Sequence, residues 1–146
     1  MTQTNLGDAE FILLKFDTGA VVTIIGVRAL FNAITEDQRG TLEQYFLEAG
    51  IEAQEFYSAT GHSMMGFPCA FNQIRLSGEM IEWFPFYLVL DTDRKVALIG
   101  NDFITHCKFH HDPNGDIEVE SFDKEEIKTA FLQAHPKTFE INQILK

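Results

Sequence analysis

The chain has 146 residues, is 45% hydrophobic with 14 phenylalanines, and carries a formal net charge of −11. That length and apolar load suit one packed domain and exclude a disordered chain. The acidic balance excludes partners that need a basic surface, namely nucleic acid and anionic membrane.

The first residues, "MTQTNLGDAEFILLKF", hold no basic region followed by an apolar one, and no apolar run reaches the roughly 18–20 residues of a membrane span. Cys69 and Cys107 form neither a CxxC pair nor an even disulfide framework. Together these features predict a reduced, cytoplasmic protein.

In chain order, "EFILLKF" (Glu10–Phe16) and "AVVTII" (Ala20–Ile25) read as two strands around an Asp17-Thr18-Gly19 turn. "VRALFNA" reads as a short helical turn. A helix is predicted over Thr35–Gly50: Thr35 and Gln38 have capping-box spacing, Leu42, Tyr45, Phe46 and Ala49 form one apolar face, and Gly50 is the stop. "EAQEFYSA", "HSMMGFPCAFNQIRL" and "EMIEWFPFYLVL" read as three strands separated by Thr60-Gly61 and Ser77-Gly78. Pro68 and Pro85 point to edges or bulges within them.

"KVALIG" (Lys95–Gly100) reads as a short buried strand, "NDFITHC" as a helical turn, and "CKFHH" and "IEVESF" as a hairpin around "DPNGD". A second helix is predicted over Asp123–His135, with Asp123 and Glu126 at capping-box spacing and Ile127, Ala130, Phe131 and Ala134 as its face. The tail "PKTFEINQILK" reads as a strand or an arm. There is no internal repeat and no low-complexity linker, so residues 1–146 are expected to form one mainly β domain, with 117–146 a C-terminal strand, helix and tail.

Three features stand in order along most of this chain: Asp17-Thr18-Gly19-Ala20 followed by "VVTII", the tip "SATGHSMMG" (Ser58–Gly66), and "ALIGNDFI" (Ala97–Ile104). This combination resembles the retropepsin-like aspartic proteases: the active-site motif, a flap hairpin, and the second signature of two apolar residues, glycine, any residue, then Asp or Asn. The resemblance implies a closed β-barrel, here with two helices. It implies peptide-bond hydrolysis by water activated between two carboxylates, with no cofactor and no metal. One such Asp per chain implies a C2 homodimer in which each copy supplies Asp17. The partners would be the second copy and an extended peptide or protein substrate.

By the same resemblance, Asp17 is the catalytic carboxylate, Thr18 bonds across the dimer axis, and Gly19 lets its backbone N–H approach the carboxylate. Ala59, Thr60, Gly61, His62 and Met64 belong to the flap and pocket. Ala20, Leu98, Ile99, Gly100 and Asp102 support the site, and Met65, Ile24 and Phe67 are looser candidates for pocket walls. A helix between the catalytic turn and the flap, and the elements after the second signature, depart from the compact viral members of the family.

Each residue also has a plainer reading. Asp17 alone is a surface-turn residue, and Asp102 a structural or capping one. "HCKFHHD" holds metal-ligand types, but on a strand His106 and His110 stand about 13 Å apart at ~3.3 Å per residue, too far for one zinc. Cys69 reads as a buried thiol, and Trp83, Phe84, Phe86 and Tyr87 as packing residues. The alternative function on the same fold is a non-catalytic peptide-binding or dimerisation module.

Overall fold

A computed structural model describes residues 15–17, 19–30, 35–57, 61, 63–76, 79–90, 96–115 and 117–141. It is mainly β, with four helices and a seven-stranded sheet curled into a half-barrel. The strands are β1 (Lys15–Phe16), β2 (Ile24–Gly26), β3 (Gln54–Tyr57), β4 (Ser63–Leu76), β5 (Glu79–Val89), β6 (Ala97–Ile99) and β9 (Phe139–Glu140), and β7 (Cys107–His111) pairs with β8 (Ile117–Phe122) as a separate hairpin. The helices are α1 (Val27–Leu30), α2 (Glu36–Glu48), α3 (Asn101–Ile104) and α4 (Lys124–Ala134). Two helices were expected; α1 and α3 are the single turns that make four.

The main path runs β1-β6-β2-β5-β4-β3, with β9 added in parallel to β4. The 14-residue β4 and 11-residue β5 form its long antiparallel hairpin. The outer edge of β4 is divided: β3 covers Ser63 to Gly66, and β9 covers Cys69 and Ala70. Among the described residues no pairing joins β3 to β1, so the expected barrel closure is not seen among them.

Pro68 and Pro85 lie inside β4 and β5, not at bulges. Among the described residues each sits where no third strand pairs: Pro68 between the ends of β3 and β9, and Pro85 beyond the β2 register, which reaches only Tyr87. A residue without an N–H is tolerated where one side of its strand is unpaired.

Alternation along β5 divides its side chains between two covered faces. Phe84, Phe86 and Leu88 are fully buried in the core with Ile25, Phe46, Phe71, Ile99 and Phe103. Burying each such side chain stabilises the fold by about 1.5–3 kcal/mol. On the other face, Trp83 and Tyr87 meet Phe131 of α4 at ring-centroid distances of 6.0 and 5.2 Å.

Both longer helices begin as their capping residues dictate. Thr35 Oγ1 accepts the Gln38 N–H at 3.1 Å, and Gln38 Oε1 accepts the Thr35 N–H at 2.9 Å. Asp123 Oδ1 accepts the Glu126 N–H at 3.0 Å, while the Glu126 carboxylate faces His106 at 3.6 Å. Gly50 takes φ +73° after α2, a conformation glycine adopts without strain. Each helix buries a narrower stripe than its spacing predicts: Leu42 and Phe46 in α2, and Ile127 and Phe131 in α4. Tyr45, Ala49, Ala130 and Ala134 are exposed, because each helix meets the sheet along a single line of side chains.

The strand predicted over Ala20–Ile25 begins only at Ile24. The carbonyls of residues 20 and 21 bond instead to a more distant partner, described next. Of the strand predicted over Glu10–Phe16, residues 10–14 lie outside the described residues.

Candidate active site

Asp17 follows β1 directly. Its N–H donates to the Ile99 carbonyl at 2.9 Å, continuing the parallel pairing of β1 with β6. The chain then turns, and the Ala20 N–H returns to the Asp17 carbonyl at 3.0 Å. Inside this turn the Gly19 N–H donates to Asp17 Oδ1 at 2.9 Å. A Cβ at Gly19 would stand 3.2 Å from that same oxygen, so a side chain there would crowd the carboxylate. Asp17 is half-buried.

The next residues are clamped onto the start of α3. Asn101 N–H donates to the Ala20 carbonyl at 2.9 Å, and Asp102 N–H to the Val21 carbonyl at 3.2 Å. Gly100 passes so close to Val22 that a Cβ would stand 2.4 Å from its carbonyl oxygen and 2.8 Å from its nitrogen. The backbone at Gly100 has φ −95°, open to any residue. Glycine is required there by contact, not by backbone angle.

Thr23 locks this arrangement. It is 1% exposed, its Oγ1 donates to Asp102 Oδ1 at 2.7 Å, and the same oxygen accepts the Gly100 N–H at 3.2 Å. Burial pushes the Asp102 carboxyl up from its ordinary value of 3.8, and the hydrogen bonds from Thr23 and nearby backbone N–H groups partly oppose that. The Tyr87 hydroxyl is pushed up to about 12, by burial first and then by the charge of Asp102.

Of the residues predicted from sequence, the structure brings Asp17, Gly19, Ala20, Ile99, Gly100 and Asp102 together in one clamp. Leu98 pairs with both Lys15 and Ile24. Gly61 lies between β3 and β4 with φ +86°. Thr18, Ala59, Thr60 and His62 lie outside the described residues. Met64 pairs with Phe56, whose ring packs 4.6 Å from that of Tyr87. Met65 is exposed, Ile24 is buried in β2, and Phe67 stacks on Phe46 at 4.4 Å within the core, so Ile24 and Phe67 are packing residues. Cys69 is fully buried, and burial pushes its thiol up.

Thr23, not named among the candidate site residues, is the side chain that ties the two segments together. Its signal was a lone hydroxyl in the β-branched run "VVTII", 79 residues before its carboxylate partner. A groove of about 800 Å³ lies away from this clamp, between β5, the β7–β8 hairpin and α4. Its lysines 108, 124 and 128 are matched by Glu82, Asp123 and Glu125, and none of the Asp17 loop lines it.

No helix among the described residues is long and apolar enough to cross a membrane. No protein-family model, curated protein or solved structure matches this chain.

Proposed function

We propose that this chain is a retropepsin-like aspartic endopeptidase, one domain over residues 1–146, that works as a cytoplasmic C2 homodimer. The half-barrel is read as part of the closed barrel which that fold implies. The observation that carries the proposal is the Asp17 carboxylate, held by the Gly19 N–H in a turn clamped to the second signature.

In the dimer the two Asp17 carboxylates approach each other. Like charges at contact do not both ionise, so the pair holds one proton. The ionised member takes a proton from water as its oxygen attacks the peptide carbonyl. The protonated member donates to the carbonyl oxygen, giving a tetrahedral diol. Proton transfer to the amide nitrogen then breaks the C–N bond and leaves a carboxylic acid and an amine. An extended substrate strand is held by main-chain hydrogen bonds, with alternate side chains in pockets.

Incubating the protein with a varied peptide library at acidic to neutral pH tests this. Asp17→Asn should lower cleavage by at least about 10²-fold, the scale of lost acid–base catalysis, and keep the fold. Undiminished cleavage by that variant, or a strict monomer in sedimentation at concentrations where the wild type cuts, would sink the shared-dyad mechanism. A wild type that binds peptides and cuts none would make the chain a binding module.

A further inference from the structure

A cleft of about 180 Å³ opens between the clamp and α4. Its inner wall is Tyr87, Phe103, Ile127 and Phe131, each less than a tenth exposed. Asp102 lines it from the clamp, and the exposed Ala130 and Ala134 mark its mouth. The space is too small for a peptide segment, and an apolar cavity of about 150 Å³ accepts a benzene ring.

The polar groups at the wall narrow the choice. The Thr23 hydroxyl is spent, donating to Asp102 and accepting from Gly100. The Tyr87 hydroxyl lies 2.6 Å from His135 Nε2. Burial lowers the His135 pKa, so the ring is neutral, and one of the two groups donates to the other. Whichever group donates, the Tyr87 oxygen keeps a lone pair for one more donor, while the Asp102 carboxyl already accepts from Thr23 and nearby backbone N–H groups. The cleft therefore offers one acceptor at an apolar wall, and an anion would meet the Asp102 carboxyl.

We propose that this cleft binds a small uncharged aromatic molecule carrying one hydrogen-bond donor, in the simplest case a phenol, held between α4 and the loop that follows Asp17. The proposal is independent of the protease reading, and its test does not use activity.

Phenol, benzene and benzoate are titrated into the full chain while the methyl signals of Val22 and Ile127 are followed by NMR. Phenol should shift them saturably, with a dissociation constant on the order of 0.1–1 mM, the range open to a ligand of this size. Benzene should bind about tenfold more weakly for want of the hydrogen bond, and benzoate should leave the signals unmoved. Ala130→Leu, and independently Ala134→Leu, fill the mouth from exposed helix positions where leucine is well tolerated. Each should weaken phenol binding at least tenfold with the rest of the spectrum preserved. Absence of saturable shifts with phenol, equal affinity for benzoate, or phenol affinity unchanged in both variants would overturn the proposal.

Discussion

The clamp around Asp17 and the C-terminal addition of β7, β8 and α4 are built by different means. In the clamp, backbone meets backbone: residues 17–22 bond to residues 99–102, and Gly100 touches Val22 with no room for a side chain. In the addition, side chains do the joining. Phe131 meets Trp83 and Tyr87, and Phe122 meets Phe103 at 5.3 Å. Backbone contacts fix atoms to within tenths of an ångström, as positioned chemistry requires. Side-chain packing adds stability in graded steps. The two regions should therefore answer mutation differently.

The sharpest break comes from Gly100→Ala. The new methyl meets the Val22 backbone, which cannot turn aside as a flexible side chain can. A loss of about 3 kcal/mol or more in urea unfolding is expected, at the upper end of overpacking costs. A loss below about 1 kcal/mol would mean that the clamp yields and does not fix the loop. Next is Thr23→Val, which keeps the shape and removes the hydroxyl. It strands the Gly100 N–H and one hydrogen bond of Asp102, and should cost about 2–3 kcal/mol. Thr23→Ser should recover most of that loss, so two equal losses would show that methyl packing, not the hydroxyl, matters at this position.

In the C-terminal addition the corresponding step is smaller. Asp123→Ala removes the α4 cap and should cost about 1 kcal/mol. Thr35→Ala in the capping box of α2 serves as its control, since that helix lies outside both regions. If Asp123→Ala cost as much as Gly100→Ala, α4 would be integral to the clamp and the contrast between the two regions would fail.

The same contrast explains what could be read before the fold was known. Local devices were legible: the Thr35–Gln38 box, the Asp123 cap, the glycine ending α2, and the turn residues between β7 and β8. Each depends on neighbours a few residues apart. The run "AVVTII" misled, because β-branched residues favour strands, yet the backbone of residues 20 and 21 is bound to residues 101 and 102. Glycine at position 100 was legible as part of a signature, but not the Val22 backbone that demands it. The apolar faces of α2 and α4 were drawn too wide, because spacing shows which side chains share a face, not how many of them the sheet covers. Tyr87 and His135 looked unrelated, and only the docking of α4 on β5 brings them to 2.6 Å.

The smallest expected effects distinguish the two regions by the sign of their pH dependence. Asp102, in the clamp, has its carboxyl raised above 3.8 by burial. Its contribution to stability is fully present below that value and is lost as pH rises through the raised pKa. His135, at the end of α4, has its pKa lowered from 6.5 by burial. Its contribution is present above 6.5 and is lost as pH falls through the lowered pKa. Stability followed from pH 3 to 8 should thus show two opposite slopes. Asp102→Asn should flatten the acidic one alone, and His135→Gln the near-neutral one alone, with His135 the weaker because solvent still reaches it. If either variant altered both slopes, Asp102, Tyr87 and His135 would titrate as one network, and α4 would be coupled to the clamp through Tyr87.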